Sequence, residues 1–258
     1  MTGTHGAPRD DAARTGDDAA HPPLDLATVR ADLPDDVEIA MIWAQTTAGV
    51  IGDGADMPWH LPEDLRHFTD STRGAPVVMG RISWEALADG YRPLPGRVNI
   101  VVSRDGSYDA PGGTVVTSVP ASVSAAAAAL RDGSATGRTV WILGGGQIYR
   151  QCLPVSDRVV VTEIGCGSPD RFTVTAPSMD DAVRTGEWEV SSGPWLTSDN
   201  GTALTGETHL RYRIREYTRT SRRRPLLPGP VHRHGPVDGR RRAHRGVGGL
   251  VRPVADLG

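Results

Sequence analysis

Lysine is missing from all 258 positions of this chain, so its 28 basic side chains are all arginine. Without a primary amine there can be no Walker-type phosphate lysine and no Schiff-base lysine, which excludes two broad kinds of chemistry. Cysteine is scarce as well. Cys152 and Cys166 form no CxxC pair and cannot assemble a thiolate zinc site. They read as two reduced, small apolar side chains in a reducing compartment. No apolar run approaches membrane-spanning length. The acidic N-terminal stretch has no apolar core of the kind a signal peptide needs. These absences lead to the expectation of a soluble, cytoplasmic protein without a metal site. An apolar fraction of 38% is low for a packed globule of this length and favours one ordinary domain with long tails.

Charge is unevenly spread. Residues 1–36 carry a net −5, residues 37–219 a net −5 and residues 220–258 a net +7. The first stretch is rich in Ala, Asp, Gly and Pro, and the last in Arg, Pro, Gly and His. Both hold too few large apolar residues in periodic order to fold, so both are expected to be disordered. The basic end can attract polyanions, but solvated chain is the preferred reading and no nucleic-acid partner is expected.

Periodicity begins at Val37, where Val37 to Ala44 reads as a buried strand. Pro62 to Phe68 opens a helix, with Pro in the first turn and Glu63 and Asp64 where the helix dipole favours acids. Strands are predicted at Pro76–Gly80, Val98–Ser103, Thr139–Leu143 and Arg158–Ile164, with helices around Ser83–Leu87, Ser122–Leu130 and after Gly146. Strands alternating with helices predict a largely parallel sheet covered on both faces. After Trp188, the turn-forming Ser198 to Gly201 and the run His209 to Ile214 predict an antiparallel hairpin. The expected fold is α/β: a mixed, mainly parallel sheet of eight strands, about four helices and an antiparallel C-terminal hairpin.

Chemistry concentrates in a few blocks. Gly49-Val50-Ile51-Gly52 leads through Met57-Pro58-Trp59-His60-Leu61-Pro62-Glu63-Asp64-Leu65 to Phe68. Val77 to Arg81, Trp84-Glu85, Arg92 to Asn99, Gly144 to Tyr149 and Val161-Thr162-Glu163 follow. A lone carboxyl on an apolar wall can accept two hydrogen bonds from the edge of a flat heterocycle, and burial raises its affinity for a proton. Arg97 presents a planar fork suited to a carboxylate. Gly144-Gly145-Gly146 departs from GxGxxG, because Tyr149 stands at the last glycine position. It nonetheless leaves bare backbone amides between a strand and a helix, where a diphosphate could sit.

In these blocks, which together span about Glu38 to Arg219, the chain resembles the dihydrofolate reductase family, most closely its actinobacterial members. The resemblance implies NADPH-dependent reduction of dihydrofolate to tetrahydrofolate by hydride addition at C6 and protonation at N5. A monomer with no membrane partner is expected. The resemblance makes Asp64 the single acid of the pterin pocket, with Thr162, the loop tryptophan Trp59 and the loop residue Met57 beside it. Ile42, Leu65, Phe68, Leu94, Arg97 and Tyr149 would hold the substrate. Ala44, Ile51, Gly52, Gly80, Arg81, Ile82, Ser83, Ser103, Arg104, Leu143, Gly144, Gly145, Gly146, Gln147 and Ile148 would hold NADPH, with a cis bond between Gly144 and Gly145 and Arg104 at the 2′-phosphate. Ile82 stands where the family usually has a polar or basic residue. Gly165 to Thr175 lacks the family's Gly-Asp-Thr signature, so closure of the Met57 loop is expected to use another partner. His60 is expected to be exposed, and His67 to lie on the outer side of its helix. Two alternatives are a riboflavin-pathway pyrimidine reductase of the same fold and a non-catalytic nucleotide-binding module. The first should lack the Trp-x-Leu-Pro-x-Asp block, and the second has no use for Asp64, Thr162 and Arg97 together.

Overall fold

A computed structural model describes residues 24–220. Most of the two segments expected to be disordered, residues 1–23 and 221–258, lies outside the described residues. The main sheet contains β1 (Glu38–Thr46), β2 (Pro76–Gly80), β3 (Val98–Val102), β4 (Gly113–Val116), β5 (Thr139–Gly144), β6 (Arg158–Gly165), β7 (Trp188–Ser192), β8 (Leu196–Thr197) and β9 (Arg211–Arg219). Eight of them form one row, β7-β9-β6-β1-β5-β2-β3-β4, while β8 pairs with β9. From β6 to β4 all pairings are parallel, and β9 adds antiparallel to β6 and β7 to β9. This is the mixed, mainly parallel sheet anticipated above, with β8 as a ninth strand.

The row is arranged by burial. β1 and β6 are buried on both faces, which suits central parallel strands rich in Val and Ile. Alternation along β1 sends Ile39 and Met41 to one core and Ala40 and Ile42 to the other. The first core lies under α1 (Leu26–Arg30), α4 (Val119–Asp132) and α5 (Gly146–Cys152). The second holds Trp84 of α3 (Arg81–Glu85), with Phe68 of α2 (Pro62–Thr72) packed against it. A short α6 (Asp180–Arg184) precedes β7. α4 is longer than its alanine run suggests, because Ser118 caps its start through the Ala121 amide at 3.2 Å and Gly133 ends it with φ +80°. No helix among the described residues is long and apolar enough to cross a membrane.

Three sequence expectations need correcting. Residues 24–36 are not an unstructured tail. Asp25 caps α1, and Val29 and Leu33, an i,i+4 pair, are buried in the core. Tertiary packing on α4 sustains a helix too short to hold alone. Second, the antiparallel hairpin forms, with β8 paired to β9, but its connection runs well beyond Ser198 to Gly201. The β8–β9 connection swings out so that Thr202–Ala203 pairs antiparallel with Trp59–His60, and β9 starts only at Arg211, after His209 with φ 54°. Third, Gly165–Thr175 does hold the Met57 loop despite its divergent sequence. Val174–Thr175 pairs with Val50–Gly52, and Arg171 lies 3.2 Å from Asp53.

Candidate active site

The carboxyl ends of β1, β2, β3 and β5 open on one side of the sheet, with helices above and below. In such α/β sheets ligands bind in the crevice beyond the strand ends. A cavity of about 1730 Å³ occupies this crevice. That exceeds the ~300–1,000 Å³ of a single drug-sized pocket and gives room for two ligands. Except for Thr162, every residue assigned to the site through the resemblance lines it.

Asp64 sits two residues past the start of α2 because Pro62 sets the first turn and Leu61, buried at 4% exposure, anchors the chain before it. Burial pushes its carboxyl above the ordinary carboxylate range. The Thr162 hydroxyl, donating to it from β6, and the nearby His67 pull the other way without overcoming burial. Thr162 itself is only 1% exposed, so it stands behind Asp64 and orients it without facing the open cavity. The other acids of the lining, Asp56 and Asp105, are exposed. His67 corrects the sequence reading, since its Nε2 is buried without a hydrogen-bond partner, one turn from Asp64 on the same helix. His60 is exposed, as expected.

Around Asp64 the wall is apolar. Ile42, Ala44, Trp59, Phe68, Leu94 and Leu143 line it, while Met57 and Leu65 are 55% and 52% exposed at its opening. Tyr149 points its hydroxyl between the carbonyls of Ile42 and Leu143, at 2.7 and 2.6 Å. One phenolic proton can serve only one of them at a time, which leaves an acceptor for a ligand N–H.

Arg97 is fastened at the mouth by three of its five N–H donors. Nε donates to Thr72 Oγ1 at 2.7 Å, Nη1 to the Pro95 carbonyl at 2.8 Å and Nη2 to the Thr69 carbonyl at 3.2 Å. One N–H then remains on each terminal nitrogen, the fork a carboxylate accepts. Desolvation, and secondarily Arg73, depress its pKa, so the site favours an incoming anion. The turn bearing Arg97 is held from below by Asn99. Its buried amide bonds the Leu94 N–H and the Leu94 and Arg97 carbonyls at 3.0–3.1 Å.

Toward β2, β3 and β5 the lining becomes glycine and short polar side chains. Gly144–Gly145 is a cis peptide, matching the expectation from resemblance. Gly144 has φ +120°, and a Cβ there would stand 3.0 Å from the Tyr149 ring. A Cβ on Gly145 would come within 3.2 Å of Ser83 Oγ. This bare backbone, between Ser83 and Arg81 on one side and Ser103 and Arg104 beyond β3, fits the phosphates of a dinucleotide. Ile82 is 62% exposed at the rim. Sequence reasoning passed over Leu24, Arg73, Tyr91, Thr117 to Pro120, Arg150 and Gln151, which also line the cavity. Most sit on loops or ahead of the recognisable blocks, where no spacing signals a shared wall. No group of His, Cys, Asp and Glu that could hold a metal ion occurs among the described residues.

A crevice long enough for two ligands, glycine-walled at one part and ending at a sequestered carboxyl, suits a nucleotide beside a second ligand in an α/β fold. The dihydrofolate reductase family model matches residues 38–203, and the chain belongs to that family. It is 39% identical over 183 residues to the dihydrofolate reductase of Mycobacterium tuberculosis and 41% identical to that of Mycobacterium leprae, in each case covering 70% of this chain and 98% of the relative. Among solved structures, a dihydrofolate reductase from Enterococcus faecalis complexed with NADP(H) and RAB-propyl superposes with a TM-score of 0.58 at 28% identity, covering 71% of this chain and 96% of the other.

Proposed function

We propose that this enzyme reduces 7,8-dihydrofolate to 5,6,7,8-tetrahydrofolate with NADPH, acting as a cytoplasmic monomer on a small-molecule substrate and without nucleic acid. The observation that carries the reading is Asp64: a single shielded acid of raised proton affinity in an otherwise apolar pocket. Its two oxygens can accept from the amino group and ring N–H of a pterin, with the Thr162 hydroxyl fixing their direction. When bound, NADPH supplies the hydride that adds at C6. The chain's own task is the other half of the reduction, keeping a proton available for N5 at neutral pH while Trp59, Phe68 and the Met57 loop exclude bulk water. Arg97 would take the substrate's α-carboxylate on its two spare donors, and Phe68, whose ring lies 5.6 Å from the Arg97 guanidinium carbon, would pack against the substrate's aromatic rings. Gly80, Gly144 to Ile148, Arg81 and Ser83 would hold the diphosphate region, and Ser103 with Arg104 the 2′-phosphate. Residues 24–220 supply this whole site from one chain, which supports a monomer, and the free thiols Cys152 and Cys166 suit a reducing compartment. The flanking segments are not required in this reading.

The test is NADPH oxidation followed by its absorbance, with and without dihydrofolate. Consumption that requires dihydrofolate and yields tetrahydrofolate is expected. Purified protein that binds NADPH but ignores dihydrofolate would end the reading.

A further inference from the structure

Helix α1 lies ahead of the family match, which begins at residue 38. It is nonetheless fixed to the domain at several points. Arg30 bonds Asp157 and the Val37 carbonyl, at 2.8 and 2.7 Å. Asp32 accepts from Ser124 of α4 at 2.5 Å, and its carbonyl accepts from Arg131 at 2.8 Å. Asp25 caps the helix through the Thr28 amide at 3.0 Å. The residue just before this cap, Leu24, packs on the core beneath α4 and at the same time lines the cavity.

The contacts of α1, which Leu24 precedes by two residues, indicate which part of the cavity it walls. α1 touches α4 and the turn Leu153–Val155 that follows α5. The cavity meets α4 only at its start, Ser118 to Pro120, and runs along α5 from Gly146 to Arg150 and Gln151. That first turn follows β4 directly, at the opposite end of the parallel row from Thr162 on β6. Strands stand ~4.8 Å apart, so β3 alone, with Ser103 and Arg104 at its end, is roughly 19 Å from β6. This far end combines short polar and cationic groups with apolar surface from Val102, Val119 and Leu24. A phosphorylated ribose carrying a flat purine matches both.

We infer that the segment preceding the family domain contributes Leu24 to the wall that binds the adenosine end of the cofactor. The inference rests on the NADPH reading above. It means that part of the cofactor site is supplied from outside the region that family comparison recognises.

The test uses isothermal titration of the full chain with NADPH, adenosine 2′,5′-bisphosphate and reduced nicotinamide mononucleotide. Leu24→Asn is polar, uncharged and close in size, so it removes the apolar contact without repelling phosphate. It is expected to weaken NADPH and the bisphosphate by about tenfold each and to leave the mononucleotide unchanged, whereas Leu24→Met should stay within about twofold for all three. If Leu24→Asn lowers the melting temperature, Leu24→Ala, read at a temperature where it is folded, should show the same split at a smaller factor. Equal bisphosphate affinity in wild type and the folded variants, or a loss shared by the mononucleotide, would overturn the inference while leaving the reductase reading standing. Wild-type protein that binds none of the three would overturn both.

Discussion

In the proposed reading Asp64 serves binding and proton supply at once, and holding a carboxyl in so shielded a place is costly to the free protein. In the unfolded chain its carboxyl titrates near the ordinary value of about 3.9. In the fold, burial raises it, so between those two values the folded state holds more protons than the unfolded one. The stabilisation gained by the protonated form is fully present below the unfolded value and is lost as pH rises through the raised one. Asp64→Asn should therefore melt at a higher temperature than wild type at pH 7, with the difference vanishing toward pH 4. The same variant should lose roughly 10²–10⁴-fold in turnover at neutral pH and lose least at acid pH, where solvent already protonates the substrate. A pH series of kcat/KM beside thermal melts checks both, and an equal loss at every pH would remove the proton role. Arg97→Ala should raise KM for dihydrofolate about 10–100-fold, the worth of two charge-assisted bonds, and leave NADPH affinity unaltered. An effect confined to NADPH would mean the fork points elsewhere.

Among elements, the turn from Arg92 to Asn99 shows how a site is held by groups that never meet a ligand. Asn99 is 3% exposed on β3, and its amide satisfies three backbone groups of the turn. Asn99→Ala leaves those groups buried and unpaired and frees the arginine carrier. The expected result is a KM for dihydrofolate raised about tenfold, kcat within about threefold of wild type, and stability reduced by ~2–3 kcal/mol. A stability loss with no change in KM would confine Asn99 to a purely structural role. The Met57 loop is held in the same indirect way. It pairs through Val50–Gly52 with Val174–Thr175 and through Trp59–His60 with Thr202–Ala203, two short ladders from distant parts of the chain. Gly52, with φ +150° and the Asp56 carbonyl 2.5 Å from where a Cβ would be, makes the tight bend between them.

For the molecule as a whole, two cores on opposite faces of one sheet are what keep the crevice open at the strand ends. α1 belongs to this framework, since Val29 is 1% exposed in the core shared with α4 and α5. Val29→Ala should cost ~2 kcal/mol and lower the melting temperature by about 4–8 °C. An unchanged melt would show that the segment before β1 contributes nothing to stability.

The amino-acid sequence alone determined the strand and helix periodicity, the parallel core of the sheet and the blocks around Asp64, Arg97 and Gly144. Those rest on local pattern, where hydrophobic spacing and turn chemistry act over a few residues. Only tertiary structure decided that Thr162 is closed off from the cavity, that the His67 Nε2 is buried, that Asn99 holds the turn bearing Arg97 and that Leu24 lines the cavity. It also decided that residues 24–36 fold, and that two remote segments hold the Met57 loop. Each of these joins groups brought together by packing across the sheet or between loops, and their local sequence carries no periodic signal of the partner. Burial and proximity are properties of the assembled core, and a single strand or helix does not possess them by itself.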